Sequence, residues 1–329
     1  MSKKLFEYQN DEKMEIFVLI KDAQAREAKN GKTYLSLHFE DPSGIISGKY
    51  WDASEQDIQQ FTAGKVVYLT GKREVYQNNP QVKIYKMRLA TADEPNDPAL
   101  YVEQAPESST AMLKEFQGYL AAIHNEHWHA IVQSLLNKHH DTLFTYPAAK
   151  TNHHAFVGGL AYHTLGILHL AEKVSDLYPL INRELLYAGA ILHDLGKTIE
   201  LSGPTSTTYT LAGNLIGHIV LIDEEIAQAA QKLNIDLNDE DMILLRHMVL
   251  AHHGLLEYGS PKRPALLEAE VLHALDDLDA SIMMMATSLK HAQPGEFTEH
   301  LFVMDNRQFY RSNDEFNNFN DDENFQDAN

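Results

Sequence analysis

The chemistry in this chain concentrates in Ile191-Leu192-His193-Asp194-Leu195-Gly196-Lys197. An imidazole and a carboxylate side by side, after apolar residues and before a glycine, suit a helix end that holds a metal. His163 lies 30 residues upstream, and His218 follows Asp194 by 24 residues. The pair His252-His253 comes next, and Asp276 follows it by 23 residues. Imidazole nitrogen and carboxylate oxygen are the usual ligands of a catalytic transition metal.

One ion could be held by His163, His193, Asp194 and Asp276. The further imidazoles His218, His252 and His253 are what a second ion needs, with Asp194 bridging the two, and two divalent ions are the favoured expectation. A nitrogen and oxygen set without thiolate suits Mn²⁺, Fe²⁺, Zn²⁺ or Co²⁺, with Mg²⁺ as a further candidate. Such ions acidify water and neutralise phosphate oxygens, which points to phosphoester hydrolysis. Asp194 and Lys197 are the candidate catalytic residues, with Lys197 expected on the phosphate or the leaving oxygen. His154, next to His153, is expected at the site mouth or on a substrate phosphate. Arg246 and Arg263 are further phosphate candidates. His124, His127, His129, His139, His140, His291 and His300 read as surface or satisfied histidines.

The elements that position these residues are helical. From Ala111 on, apolar residues recur at three and four, as in Leu113, Phe116, Leu120 and Ile123. Helical stretches are expected near 128–139, 160–177, 183–194, 211–232, 239–253 and 266–290. Each ligand then comes from a different helix, as in metal-binding bundles. The amphipathic helices at 111–140 could also join subunits into a homo-oligomer.

The first 95 residues have another pattern. Glu15 to Ile20, Thr33 to Glu40, Ile45 to Trp51, Val66 to Gly71 and Gln81 to Met87 read as strands, with a short helix at Ser54 to Phe61. Asp41-Pro42-Ser43-Gly44 is a turn signal. Five strands with a helix between the third and fourth fit an OB-fold barrel. Phe17, Leu35, Leu37 and Phe39 are assigned to its core. Tyr34, Trp51, Lys83 and Tyr85 are assigned to a surface where bases stack and cations meet the backbone. The fold class is therefore multidomain: a small all-β OB-fold barrel at 1–95, a linker at 96–110, and an all-α bundle at 111–304. An acidic Asn/Asp-rich tail at 305–329 is expected to be mobile at its end.

Composition sets limits. The net charge is −20, from 27 basic and 47 acidic side chains. Fourteen of each fall within residues 1–95, so that segment is neutral and the remaining 13 basic and 33 acidic side chains carry the whole charge. A strong nonspecific grip on a polyanion is not expected, whereas stacking and metal-bound phosphate stay open. There is no cysteine, which excludes disulfides and thiolate ligands and is compatible with the cytoplasm. The first residues lack the apolar core of a secretion signal, and no apolar run is long enough for a membrane span.

The order H…HD…H…HH…D resembles the HD-domain metal-dependent phosphohydrolases. Asn152-His153-His154-Ala155-Phe156-Val157-Gly158-Gly159-Leu160, LHDLGK and Ala251-His252-His253-Gly254, behind an OB domain, resemble the YhaM-type 3′-to-5′ exoribonucleases. That resemblance covers about residues 10–305. It implies a Mn²⁺-dependent enzyme that releases nucleotides from the 3′ ends of single-stranded RNA, and in some members single-stranded DNA. Many HD relatives carry Glu before the first metal histidine, where this chain has Tyr162. Two other readings use the same residues: a phosphohydrolase or phosphodiesterase of a small nucleotide, and a noncatalytic nucleic-acid-binding protein. The first leaves the OB domain without a task. The second leaves buried carboxylates and imidazoles with a desolvation cost and no use.

Overall fold

Alternation along five strands builds a closed barrel. β1 (Lys13–Glu27) turns Met14, Ile16, Val18 and Ile20 inward. β2 (Thr33–Asp41) contributes Leu35, Leu37 and Phe39, and β3 (Gly44–Tyr50) contributes Ile46. The turn between them is fixed by Asp41, whose carboxylate accepts from the Ser43 amide at 2.8 Å and the Leu5 amide at 2.7 Å. The short helix α1 (Glu55–Gln60) is capped by Ser54 and leads to Phe61, which is buried in the barrel. β4 (Val66–Tyr76) and β5 (Asn79–Leu89) complete the order β1-β2-β3-β5-β4. All pairs are antiparallel except β3 with β5. This is the OB-fold expected from the sequence.

The computed structural model describes residues 3–28, 31–76, 79–150, 154, 156–205 and 207–313. The chain forms two compact units. One reaches to Gln104 and includes Gly203–Thr207; the other takes Ala105–Ser202 and the chain from Thr208 on. In the region expected to be a linker, Pro98–Tyr101 forms a 3-10 turn with Tyr101 buried.

Phe17 departs from expectation. It lies on the outer face of β1, its ring 4.8 Å from that of Tyr68 on β4. Glu15 to Ile20 contains five consecutive apolar residues, so period two is hidden there. The inward set is the even-numbered one, which leaves Phe17 on the other face.

The second unit is helical. Its elements are α2 (Ser109–Ala121), α3 (Glu126–Lys138), α4 (His140–Leu143), α5 (Gly159–Leu177), α6 (Arg183–Leu192), α7 (Lys197–Glu200), α8 (Leu211–Leu215), α9 (His218–Leu233), α10 (Glu240–Ala251) and α11 (Leu267–His291). α6 is central: every residue from Leu185 to Leu192 is buried. A helix apolar all round must be enclosed on all sides, and α6 is packed against α3, α5, α10 and α11. α10 lies close to α6 at Gly189, where a Cβ would lie 2.8 Å from Met248 Cε. α6 starts at Asn182, whose side chain accepts from the Leu185 amide.

The expected helix at 211–232 is two helices. Gly217 sits at φ 83°, which ends α8 and starts α9 on a new axis with His218 as its first residue. Beyond α11 the chain folds back on itself, with Phe297 bridged to Tyr310 and Leu301 to Arg307. The part of the tail expected to be mobile, 314–329, lies outside the described residues.

Leu37 is fully buried in the barrel. Leu37→Ala is expected to cost about 2–5 kcal/mol, from lost transfer energy plus the cavity left behind. Urea denaturation followed by Trp51 fluorescence measures it; a loss below about 1 kcal/mol contradicts this packing.

Candidate metal centre

Five helix ends and faces bring seven candidate ligand side chains to one place. His163 comes from α5, His193 and Asp194 directly follow α6, His218 opens α9, His252 and His253 follow α10, and Asp276 lies on α11. Their ligand atoms fall into two sets. His163, His193 and Asp276 each place one within 4.8 Å of the others; Asp194, His218, His252 and His253 do the same. Asp194 touches both sets. Its Oδ2 is 3.4 Å from His193 Nε2 and 3.5 Å from His163 Nε2. Its Oδ1 is 3.4 Å from His218 Nε2 and 3.7 Å from His252 Nε2.

All five imidazoles are held the same way. Nδ1 of His193 meets the Ala190 carbonyl, that of His252 the Val249 carbonyl, and that of His253 the Tyr258 carbonyl, each at 2.7 Å. A carbonyl only accepts, so these Nδ1 atoms carry protons and Nε2 presents its lone pair to the centre. His163 Nδ1 donates to Asp279 Oδ2 at 2.7 Å, and His218 Nδ1 to Glu200 Oε1 at 3.2 Å. Histidines that ligate metals characteristically give their other nitrogen to such partners.

The donor atoms fit a cation. His163 Nε2 and His193 Nε2 face each other at 3.4 Å, and Asp276 Oδ1 is 3.2 Å from His163 Nε2. Asp194 Oδ1, His218 Nε2 and His252 Nε2 are buried and form no hydrogen bond with any described residue. Buried groups of this kind are costly unless a ligand or ion meets them. The cluster is thus a divalent-metal site in its donor chemistry.

The ionisation of the metal-free site follows from the same contacts. Burial opposes charge on His163, yet hydrogen bonds to Asp194, Asp276 and Asp279 hold its pKa well above the ordinary value. Burial also opposes charge on Asp194, and Lys197 and His193 outweigh it, so Asp194 stays ionised. Burial lowers the pKa of His218 and His252, and brings that of His253 down to about 4, so these three are neutral at pH 7.

Sequence reasoning missed two residues here. Asp279 lies one turn beyond Asp276 on α11 and accepts from both His163 and His154. Its i,i+3 spacing from Asp276 was the available signal. Glu200 accepts from the amide and Nδ1 of His218, and nothing in its spacing singles it out. Two expected roles change. His154 is 3 % exposed and bonds Asp279 at 2.8 Å, so it stands behind His163 rather than at the mouth. Arg246 is held by Asp223 through two hydrogen bonds of 2.7 and 2.8 Å, which occupies the fork expected for phosphate. Lys197 does reach the cluster, but its ammonium binds Asp194 Oδ2 at 2.6 Å. Arg263 is exposed in the loop after α10, and His153 lies outside the described residues.

In the barrel, the rings of Tyr34 on β2 and Trp51 after β3 lie 4.8 Å apart, with Lys49 Nζ over both at 5.9 and 5.8 Å. Lys83 on β5 is in register with Lys49, and Tyr85 follows, half exposed. This is the strand 2–3 face that OB folds use for oligonucleotides.

A metal-type helical site joined to an OB barrel defines the class. The HD domain family matches residues 160–281, and the OB-fold nucleic acid binding domain family matches residues 16–90. The chain is 47% identical over 310 residues to the 3′-5′ exoribonuclease YhaM of Listeria welshimeri serovar 6b, covering 94% of this chain and 98% of that protein. It belongs to the YhaM family of 3′-5′ exoribonucleases. Among solved structures, the second OB-fold domain of replication protein A from Methanococcus maripaludis is 17% identical and covers 28% of this chain and 98% of its own, with a TM-score of 0.23. A replication protein A heterotrimer bound to ssDNA is 18% identical and covers 27% and 64%, with a TM-score of 0.21. At these scores neither carries an argument. Among the described residues, no helix is long and apolar enough to cross a membrane.

The lowered pKa of His253 has a measurable consequence. Between about pH 6.5 and 4 the unfolded chain protonates this residue and the folded chain does not. Stability of the metal-free protein therefore falls as pH drops through that window. His253→Gln is expected to flatten the slope of stability against pH there by up to one proton. An unchanged slope in chelator-treated protein rules this out.

Proposed function

We propose that this chain is a metal-dependent 3′-to-5′ exoribonuclease that shortens single-stranded RNA, and single-stranded DNA as a second substrate, releasing nucleoside monophosphates. The observation that carries the reading is Asp194, whose two oxygens face two separate ligand sets. We assign one divalent ion to His163, His193, Asp194 and Asp276, and a second to Asp194, His218, His252 and His253. The nitrogen and oxygen donors suit Mn²⁺, Fe²⁺, Zn²⁺ and Co²⁺ alike, and Mn²⁺ is assigned on the resemblance to the family. Bound there, divalent ions supply an acidified water nucleophile and offset charge on the phosphate. Asp194 spans the two positions and sets their spacing. Lys197 holds Asp194 ionised and in place. Asp279 and Glu200 fix the rings of His163 and His218.

The barrel at 1–95 is assigned to holding the strand through Tyr34, Trp51, Lys83 and Tyr85, and the bundle at 111–304 to cutting it. The identity with a named exoribonuclease over nearly the full length supports both assignments. An RNA substrate and a chain without cysteine suit the cytoplasm. A small-nucleotide phosphohydrolase would use the same metal site, but the paired rings of Tyr34 and exposed Trp51 favour a polymer.

Incubation with 3′- and 5′-labelled single-stranded RNA and Mn²⁺ tests the reading. Stepwise shortening from the 3′ end is expected, with Asp194→Ala slower by about a thousandfold or more. Intact RNA beside hydrolysis of small nucleotides moves the assignment to the latter. Trp51→Ala is expected to raise KM on long RNA by roughly 5- to 100-fold, the worth of about one stacked base. It should move KM on a dinucleotide much less; an equal effect on both removes the barrel from substrate binding.

A further inference from the structure

The two ligand sets meet across one gap, 3.4 Å between Asp194 Oδ1 and His218 Nε2. How the turn at 194–197 lies on the first turn of α9 sets that gap. The two touch directly. A Cβ on Gly196 would lie 2.3 Å from the His218 carbonyl oxygen and 3.1 Å from Ile222 Cβ. No side chain of Gly196 separates them, so any slip of α7 along α9 changes the gap.

One buried residue ties these elements together. His139 ends α3 and precedes α4, and it is 8 % exposed. Its amide donates to the Leu135 carbonyl at 2.9 Å, and its carbonyl accepts from the Leu143 amide at 2.8 Å, which fixes its backbone. His139 Nδ1 lies 2.9 Å from Thr198 Oγ1 on α7. That hydroxyl donates its one proton to the Leu195 carbonyl at 2.8 Å, so it accepts from Nδ1–H. His139 Nε2 lies 3.4 Å from Glu225 Oε2 on α9, which Lys138 also binds. Thr198 is four residues after Asp194, and Glu225 is seven after His218, about two turns along one helix. The end of α3 therefore grips the Asp194 element on one side and the His218 element on the other.

We propose that His139 is a positioning residue for the second ion, holding Asp194 at the separation from His218 that an ion shared between them needs. The proposal rests on the two-ion reading of the site. His139 touches none of the seven candidate ligands; it acts through Thr198 and Glu225. The first ion is expected to be nearly indifferent to it. Asp194 is joined to His193 in the chain and moves with it, while His163 is held separately by Asp279. A displaced turn thus keeps Asp194 with His193 and alters its distance from α9.

Metal-free full-length protein is titrated with Mn²⁺, and unbound ion is counted by its electron paramagnetic resonance signal. Wild type is expected to take up two ions in separable steps, one of which His218→Ala removes. His139→Leu and Thr198→Val are expected to weaken that same step by about 10- to 100-fold and the other by less than about threefold, the range seen when groups that orient ligands are removed. His139→Asn keeps an N–H for Thr198 and is expected to recover most of the loss. Equal weakening of both steps, or none, in folded variants overturns the proposal. So does a His139→Asn that binds as poorly as His139→Leu. If His139→Leu lacks the helical circular dichroism of wild type, Thr198→Val and His139→Asn decide by the same criteria. If wild type takes up fewer than two ions, the two-ion reading fails and the proposal with it. Shortening of RNA by wild type tests the exoribonuclease reading apart from both.

Discussion

The placement of Asp194 between two groups of imidazoles is the constraint on which the second unit depends. One buried carboxylate faces His163 and His193 with one oxygen, and His218 and His252 with the other. A buried carboxylate is tolerable only with partners on every side. Lys197 supplies one of them, three residues along the chain. The rest come from α5, α9, α10 and the turn after α6. The all-apolar surface of α6 is what permits so many elements to converge on its end.

The second layer is as ordered as the first. Asp279 serves His163 and His154 together, and Glu200 serves both the ring and the amide of His218. The other three rings take main-chain carbonyls. Each ring is thereby fixed in one orientation before any ligand arrives, which is preorganisation in the physical sense.

Much of this was legible in the sequence, for reasons that differ by region. The seven side chains that converge were readable because LHDLGK and His252-His253 pair chemistry with helix-terminal patterns. The barrel was readable because Thr33 to Glu40 alternates cleanly. Phe17 was misplaced because a continuous apolar run carries no period. The break at Gly217 was hidden by apolar residues at helical spacing on both sides of it. His154 and Arg246 illustrate a different limit. A titratable residue near a motif looks available in a sequence, but its partner lies far along the chain: Asp279 is 125 residues from His154, and Asp223 is 23 from Arg246. Glu200 was invisible for the same reason.

Two helices, α6 and α10, end at the cluster with His193 and His252 as their capping residues. Helix C-termini carry partial negative charge. Added to Asp194, Asp276, Asp279 and Glu200, and set against Lys197, His163 and the N-terminus of α9, they leave the site with an excess of negative charge. A phosphate meets repulsion there until cations are seated. Before any cation is seated, such a field favours a cation over an anion at the cluster.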